Sequence, residues 1–274
     1  MITLFFSATF SATFSTMTSA AEKPQRIVSL SLCTDQILLM LVEKERFASI
    51  SYLSADPIYS YMWQAAAGIP THTGLAEEII PLQPDLIIGS KYTTGNAVQM
   101  MRHLGHEVTT VDSPTTLAET EAFTRTIGNV VGEPERAEQL IQTMRAEILR
   151  AKAMVANLPK QVAISYGPNG YTAGRLTLKN EILEAAGFRN LAAEIGIEYY
   201  GNISLEQLIW SNPDAIIIDE DIPNTNSLAQ NVTTHPVLQR LLQDRSITSV
   251  PTNHWICPGP LASKAILALA EQRQ

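Results

Sequence analysis

The chain has 274 residues, of which 45% are hydrophobic and 17% charged, a composition typical of a globular protein and not of a disordered one. A chain of this length can bury one large core or two ordinary ones. Its net charge of −8, without a basic run, argues against a nucleic-acid-binding surface. No stretch reaches the roughly 18–20 consecutive apolar residues of a membrane-spanning helix.

The N-terminal segment before Glu22 differs from the rest of the chain. It carries no charge, has an apolar centre and ends in small residues. This pattern predicts a secretory signal peptide over residues 1–21, cleaved near Ala20 or Ala21, although no Lys or Arg follows Met1. A disordered apolar tail and a wrongly chosen start codon are the alternatives.

From Arg26 to Asp112 the chain alternates strand and helix patterns, and we assign residues 22–133 to an N-terminal lobe. In chain order, strands are predicted at RIVSL, FASIS, PDLIIGS and HEVTTVD, and helices at TDQILLMLVEK and NAVQMMRHLG. The Thr-Asp start and the closing Gly105 are typical helix ends. The continuous apolar run in PDLIIGS is typical of a buried parallel strand. The alternation predicts an α/β lobe with a parallel central sheet.

The alternation stops between Thr116 and Leu158, where the sequence is almost entirely helical. The last helix of this region has Pro134 in its first turn and Pro159 just beyond its end. Its roughly 23 helical residues would span about 35 Å. We predict a connecting helix over residues 134–158.

The strand–helix alternation then resumes over residues 159–274. The stretch Glu206 to Ile218 repeats the earlier stretch Glu77 to Gly89, with six of thirteen positions identical. Each copy predicts a short helix, a Pro-Asp turn and a buried strand. The predicted fold is two Rossmann-like α/β lobes with parallel central sheets, joined by one long rigid helix, with a ligand cleft between the lobes.

Aromatic and basic residues concentrate in the predicted loops at the strand ends, where they could line the cleft. Flat aromatic walls suit a large, planar or partly apolar ligand, and cations could contact its anionic groups. For any single aromatic residue, packing beneath a loop is an equal alternative. The predicted ligand-binding residues are Tyr52, Trp63, Lys91, Tyr92, Tyr166, Tyr171, Arg175, Tyr200, His254 and Trp255.

Catalytic and metal-binding motifs are missing from the sequence. There is no G-x-S-x-G elbow, no phosphate-binding loop, no C-x-x-C and no H-E-x-x-H. We therefore expect no catalytic residue, no metal site and no cofactor. A two-lobed enzyme acting across the cleft stays an alternative, based on Asp219, Glu220 and Asp221 at a predicted strand end.

The chain has two cysteines, Cys33 and Cys257, which lie near opposite ends of the sequence. They could pair in an oxidising compartment. We expect them instead to be unpaired small hydrophobic residues.

Six stretches between Arg26 and Gln274 carry a resemblance to a known family. They are RIVSL with a Ser-x-x-Thr-Asp helix start, LQPDLIIG, the helix between two prolines, TLKNEILEAAGFRNLA, SLEQLIWSNPDAIII and the Trp-x-x-x-Gly-Pro end. In their order and spacing the chain resembles the helical-backbone periplasmic binding proteins of ABC importers, which capture ferric siderophores, haem and cobalamin.

The resemblance implies a non-catalytic, monomeric receptor in the periplasm whose lobes hardly hinge. Its partners would be a chelate ligand and the permease dimer of an ABC importer with its ATPase, which would bring it into peripheral contact with the membrane. In that family one glutamate on each lobe docks into arginine pockets of the permease. Glu77 and Glu206 occupy those positions, with Glu78 as a rival. Stabilisation of each glutamate by the helix dipole is the alternative.

Three ligand classes follow from the resemblance. Haem receptors often present a Tyr or His to iron, for which Tyr92, Tyr171 or His254 could serve, and cobalamin receptors rely on aromatic walls. Siderophore receptors add Arg and Lys. Because the chain offers both aromatic residues and the cations Lys91 and Arg175, we expect a ferric siderophore, with cobalamin next. Zinc and manganese receptors use several His with Asp or Glu, and the chain has no convincing set.

Overall fold

The computed structural model describes residues 22–91, 95–219 and 249–274, together with residues 236 and 240. The predicted signal peptide, Tyr92, Glu220 and Asp221 lie outside the described residues. In the part of the chain that is described, every helix is too short or too polar to cross a bilayer.

The N-terminal half contains a five-stranded parallel sheet. Its elements are β1 (Ile27–Ser29), α1 (Leu32–Leu41), β2 (Phe47–Ser51), α2 (Trp63–Ala66), β3 (Thr71–His72), α3 (Ala76–Ile79), β4 (Leu86–Ser90), α4 (Gly95–His103) and β5 (Val108–Val111). The strand order is β3-β2-β1-β4-β5, and every neighbouring pair is parallel.

Successive residues of the central strands face two separate helical layers. Ile27 of β1 and Ile88 of β4 pack with side chains of α1, whereas Val28 and Ile87 pack with side chains of α3 and α4. Both faces of the sheet are therefore covered, which explains why these strands are continuous apolar runs in the sequence.

Two long helices follow, α5 (Leu117–Val130) and α6 (Pro134–Val155). Pro134 occupies the first turn of α6, where its missing N–H removes no helical hydrogen bond. α6 supplies Ala137 to the core of the N-terminal half, and Ile148 and Ala151 to the core of the C-terminal half. A long helix thus lies where one was predicted and joins both cores, while the domain boundaries at residues 133 and 159 stay predictions.

The C-terminal half contains a four-stranded parallel sheet in the order β11-β10-β6-β8 and a separate antiparallel ribbon of β7 and β9. Its elements are β6 (Gln161–Ser165), β7 (Tyr171–Ala173), α7 (Leu178–Ala185), β8 (Phe188–Asn190), α8 (Leu191–Glu194), β9 (Tyr200–Asn202), α9 (Leu205–Ser211), β10 (Ala215–Asp219), β11 (Ser249–Val250), α10 (Thr252–Trp255) and α11 (Ala262–Glu271). The predicted α/β class with parallel sheets is confirmed, whereas the ribbon was not predicted.

The expectation that the two cysteines are unpaired is wrong. Cys33 and Cys257 form a disulfide, with their Cα atoms 5.1 Å apart. The segment after α10 lies against the first turn of α1, and the Asn253 side-chain amide donates to the Pro57 carbonyl at 2.8 Å beside it. The N-terminal and C-terminal halves are therefore linked covalently as well as through α6.

The repeated Pro-Asp pair has the same structural role in both halves. The Asp85 carboxylate accepts the N–H of Arg26 at 2.9 Å, and the Asp214 carboxylate accepts the N–H of Val162 at 2.7 Å. In each half the donor lies at the start of the neighbouring parallel strand. The aspartate therefore fastens the two central strands together where both begin.

Candidate functional site

A cavity of about 90 Å³ lies at the carboxyl ends of β6 and β10. Parallel α/β sheets bind their ligands at this edge. Four of the ten predicted ligand-binding residues line the cavity, namely Tyr166, Tyr171, Tyr200 and Trp255.

Tyr171 and Tyr200 form a flat aromatic face at the mouth of this cavity. Their rings stack at a centroid distance of 5.5 Å and an interplanar angle of 10°, and the residues are 47% and 60% exposed. The ribbon sets this geometry, because Tyr171 lies opposite Asn202 and Tyr200 opposite Ala173, which makes the tyrosines diagonal neighbours on one face. Burial, and Tyr200 beside it, raise the pKa of Tyr171, so the phenol is protonated at neutral pH.

Tyr166 and Trp255 form the floor of the cavity and are both buried. The Tyr166 hydroxyl donates to the Ile203 carbonyl at 3.4 Å, just before α9. Burial and the nearby Glu206 carboxylate raise the pKa of Tyr166, which keeps it a neutral donor. The floor is thus largely aromatic, and the Tyr166 hydroxyl group in it is already hydrogen-bonded.

Lys179 is a wall residue that the sequence prediction missed. It lies in the first turn of α7, and its Nζ atom stands 4.0 Å from the centroid of the Trp255 ring. Lys179 therefore brings a positive charge to a cavity whose other lining residues are uncharged. The one feature of the sequence that could have indicated Lys179 is its position two residues after Thr177. Thr177 caps the start of α7 and follows the loop at a strand end.

The two predicted cations make ion pairs outside this cavity. Arg175 pairs with Glu198 at 2.6 Å, and Lys91 pairs with Asp112 at 3.1 Å. Neither Arg175 nor Lys91 lines the aromatic cavity. Each carries a carboxylate beside it, which lowers its attraction for an anionic ligand.

The remaining predicted residues lie in other places. Tyr52 follows β2, Trp63 begins α2, and both are exposed. His254 lies in α10, and its ring packs edge-on against Tyr61 at a centroid distance of 5.3 Å. His254 is therefore part of the contact between the two halves.

A larger cavity of about 580 Å³ lies between the end of β5 and α5. None of the predicted ligand-binding residues lines it. Its walls carry several hydroxyl groups, the Glu119 carboxylate and the Asp112 carboxylate, which pairs with Lys91, and Phe123 is its one aromatic lining residue. We therefore place the candidate site at the smaller aromatic cavity. Among the described residues, no group of three or more His, Cys, Asp or Glu side chains could hold a metal ion.

Glu77 and Glu206 are both exposed and both occupy the second position of a short helix, α3 or α9. In each copy the residue after this glutamate, Glu78 or Gln207, accepts a hydrogen bond from a backbone N–H near the start of the helix. The Glu78 carboxylate accepts the N–H of Thr73 at 2.7 Å, and the Gln207 carbonyl accepts the N–H of the capping residue at 3.1 Å. Glu78 and Gln207 therefore have a local structural role at the helix start.

A family model described as "Periplasmic binding protein" matches residues 27–242. A cobalamin-binding protein of Halobacterium salinarum is 25% identical over 247 residues; the match covers 87% of this chain and 66% of the relative, so the chain spans just under two thirds of that protein's length.

Solved structures show the same fold. A periplasmic haem-binding protein from Pseudomonas aeruginosa has a TM-score of 0.74 and 23% identity, and the match covers 90% of this chain and 91% of that one. A possible iron-binding, periplasmic solute-binding protein from Staphylococcus epidermidis has a TM-score of 0.74 and 21% identity, over 92% and 99% of the two chains.

Proposed function

Because the chain belongs to the periplasmic binding protein family, we propose that it is the receptor of an ABC importer, which captures a ferric siderophore and delivers it to the permease. The observation that carries the proposal is the Lys179 ammonium group over Trp255 inside the aromatic cavity. Members of the family are substrate-binding transport proteins and not enzymes, so the alternative of an enzyme acting across the cleft is dropped.

In this proposal residues 22–133 and 159–274 form two lobes, and the helix over residues 134–158 is the strut between them. The receptor works as a monomer in the periplasm after removal of residues 1–21. The 90 Å³ cavity takes one arm of the chelate, and the rest of the ligand lies in the groove towards Tyr52 and Trp63 of the N-terminal half.

The chemistry of the cavity favours a partly apolar ligand with one anionic group. The stacked faces of Tyr171 and Tyr200 offer flat contact area, and the Lys179 ammonium can donate to a carboxylate or a deprotonated chelating oxygen. A hydrogen bond of this charged kind contributes about 1.5–3 kcal/mol.

Cobalamin is the second candidate, because the same aromatic faces suit a corrin ring and the relative from Halobacterium salinarum is named as a cobalamin-binding protein. The two candidates differ in their need for a cation. Cyanocobalamin carries no net charge and its one anionic group is a phosphodiester, so its binding should depend on Lys179 less than that of an anionic ferric siderophore.

A thermal-shift screen of the purified protein tests the ligand class. The probes are ferric siderophores of the hydroxamate and catecholate types, haemin, cyanocobalamin and zinc chloride. A ligand at 100 times its Kd adds about 2.7 kcal/mol of stability, which should raise Tm by roughly 5–10 °C. A shift with zinc alone, or with no probe, would overturn the chelate proposal.

Substitution of Lys179 separates the two candidates. Lys179→Gln should weaken binding of an anionic ferric siderophore of the catecholate type about tenfold or more and change cyanocobalamin binding much less, as measured by calorimetry. Lys152→Gln, at an exposed lysine on α6, is the matched control and should change neither affinity. Equal siderophore affinity in both variants would exclude a role for Lys179.

The permease contact is proposed to use Glu77 and Glu206. Replacement of both by Arg should leave ligand affinity intact and abolish transport, because both carboxylates lie outside the ligand cavity. Normal uptake by the double variant would refute the docking role without affecting the ligand proposal.

A further inference from the structure

Helix α9 exposes the side chain of Trp210 almost completely to solvent. Trp210 is 93% exposed, the highest value among the large hydrophobic side chains of the described residues. Within α9 the buried residue is Leu208, which attaches the helix to the core. Ile209 beside it is 42% exposed, so α9 presents two adjacent large hydrophobic side chains to solvent, and contiguous exposed apolar surface marks interaction sites where a single exposed residue does not.

Trp210 shares a helix face with Glu206. The two residues are four positions apart, so their side chains lie one turn from each other, roughly 6 Å along the helix axis. α9 is held at both ends, by the capping box of Ser204 and Gln207 and by the Asp214 carboxylate on β6. The carboxylate and the indole are therefore presented together on a rigid element.

The internal repeat shows that the fold does not need this tryptophan. When the two copies are aligned, the position of Trp210 corresponds to Pro81 in the first copy. Both copies place a short helix, a Pro-Asp turn and a parallel strand in the same order, but Pro81 lies in a 3-10 turn (Ile80–Leu82) after α3, whereas Trp210 lies within α9. The glutamate is common to both copies, but the large aromatic side chain belongs to the second copy alone.

We propose that Trp210 is the apolar anchor of the receptor's contact with its permease. This inference rests on the proposed function. The permease surface that Trp210 fits has an apolar recess large enough for an indole ring. A cationic group that binds the Glu206 carboxylate lies about the length of one helical turn from this recess. Tryptophan is enriched among the few interface residues that dominate binding. The lobe that carries α9 therefore contributes more to association than the lobe that carries Glu77.

The test measures association of the ligand-loaded receptor with the cognate permease–ATPase complex in lipid nanodiscs, by biolayer interferometry. Trp210→Ala should weaken association at least about tenfold, and Trp210→Phe should restore most of it. Leu149→Ala, at a residue 68% exposed on α6, is the matched control and should stay within about twofold of wild type. Tm and ligand affinity should be unchanged in all three variants, because the side chains are exposed.

Other outcomes would overturn the proposal. If Trp210→Ala associates like wild type while the Glu77→Arg, Glu206→Arg variant does not, the indole has no docking role and the proposed receptor function stands. If both variants associate normally, docking through α3 and α9 fails as a whole. Trp210-dependent binding to empty nanodiscs would assign the indole to lipid, and a Trp210-dependent dimer in light scattering would assign it to a second copy of the chain.

Discussion

The stability of this protein should depend on pH through Asp35, a fully buried carboxyl group in the first turn of α1. Its Oδ2 atom accepts hydrogen bonds from the Ser51 amide at 2.9 Å and from the Ser54 hydroxyl at 2.6 Å. Burial raises the pKa of Asp35 to about 7, because desolvation of the charged form outweighs the hydrogen bonds that lower it.

The direction and size of the effect follow from proton linkage. Between pH 3.8 and about 7 the folded protein holds a proton that the unfolded chain has released, so the free energy of unfolding falls as the pH rises through this window. A difference of about 3 units at 1.36 kcal/mol each is ~4 kcal/mol. Asp35→Asn cannot ionise, and it retains an oxygen for both hydrogen-bond donors, so this loss should disappear.

Urea unfolding at a series of pH values from 4 to 8.5, at constant ionic strength, measures this effect. The free energy of unfolding of Asp35→Asn minus that of wild type should grow by ~4 kcal/mol across the series. Burial lowers the pKa of His72, which titrates with the opposite sign, but it is present in both proteins and cancels in the difference. Parallel pH profiles for the two proteins would refute a buried, proton-holding Asp35.

Two further predictions concern stability. Replacing Cys33 and Cys257 by Ser should lower the free energy of unfolding by about 2–4 kcal/mol, measured by urea unfolding; if the double variant matches wild type, the disulfide does not form. Gly170→Ala should destabilise the protein by more than about 1 kcal/mol, because φ is +71° and the new Cβ would lie 2.1 Å from the Ile203 carbonyl oxygen. Gly196→Ala, at φ +90° with no atom within 4 Å, is the control and should cost less in the same assay.

Elements with a strong local signal could be predicted from the sequence. The strands β4 and β10 are apolar runs that follow a Pro-Asp turn, and α6 begins and ends near a proline. The ribbon of β7 and β9 could not be predicted in the same way. Each strand has three residues, and they pair across α7, β8 and α8, so their pairing depends on tertiary contacts and not on periodicity.

The candidate site was predictable to a similar extent. The sequence predicted Tyr171 and Tyr200 in loops at strand ends and proposed them for a ligand surface; the structure places them in β7 and β9, where both line the same cavity. The ion pair between Arg175 and Glu198 could not, because the two residues are brought together by the fold and not by helix or strand spacing. Lys179 was missed for the opposite reason: a lysine in the first turn of a helix has the pattern of an ordinary solvated residue, and the position of Trp255 beneath it is a tertiary feature.

Comparison of the two copies of the internal repeat distinguishes residues that the fold requires from residues that it does not constrain. The aspartates of the Pro-Asp pair are identical in both copies because each fastens two strands. Pro81 and Trp210 occupy one equivalent, exposed position, which lies in a 3-10 turn in the first copy and in α9 in the second, so this position has diverged in residue and in local structure. Glu77 and Glu206 are also exposed, yet both copies have the same residue. Shared ancestry alone explains the identical glutamates poorly, because a neighbouring exposed position has diverged. A common external contact is the better explanation for the glutamates. A contact made by one copy alone is the better explanation for Trp210.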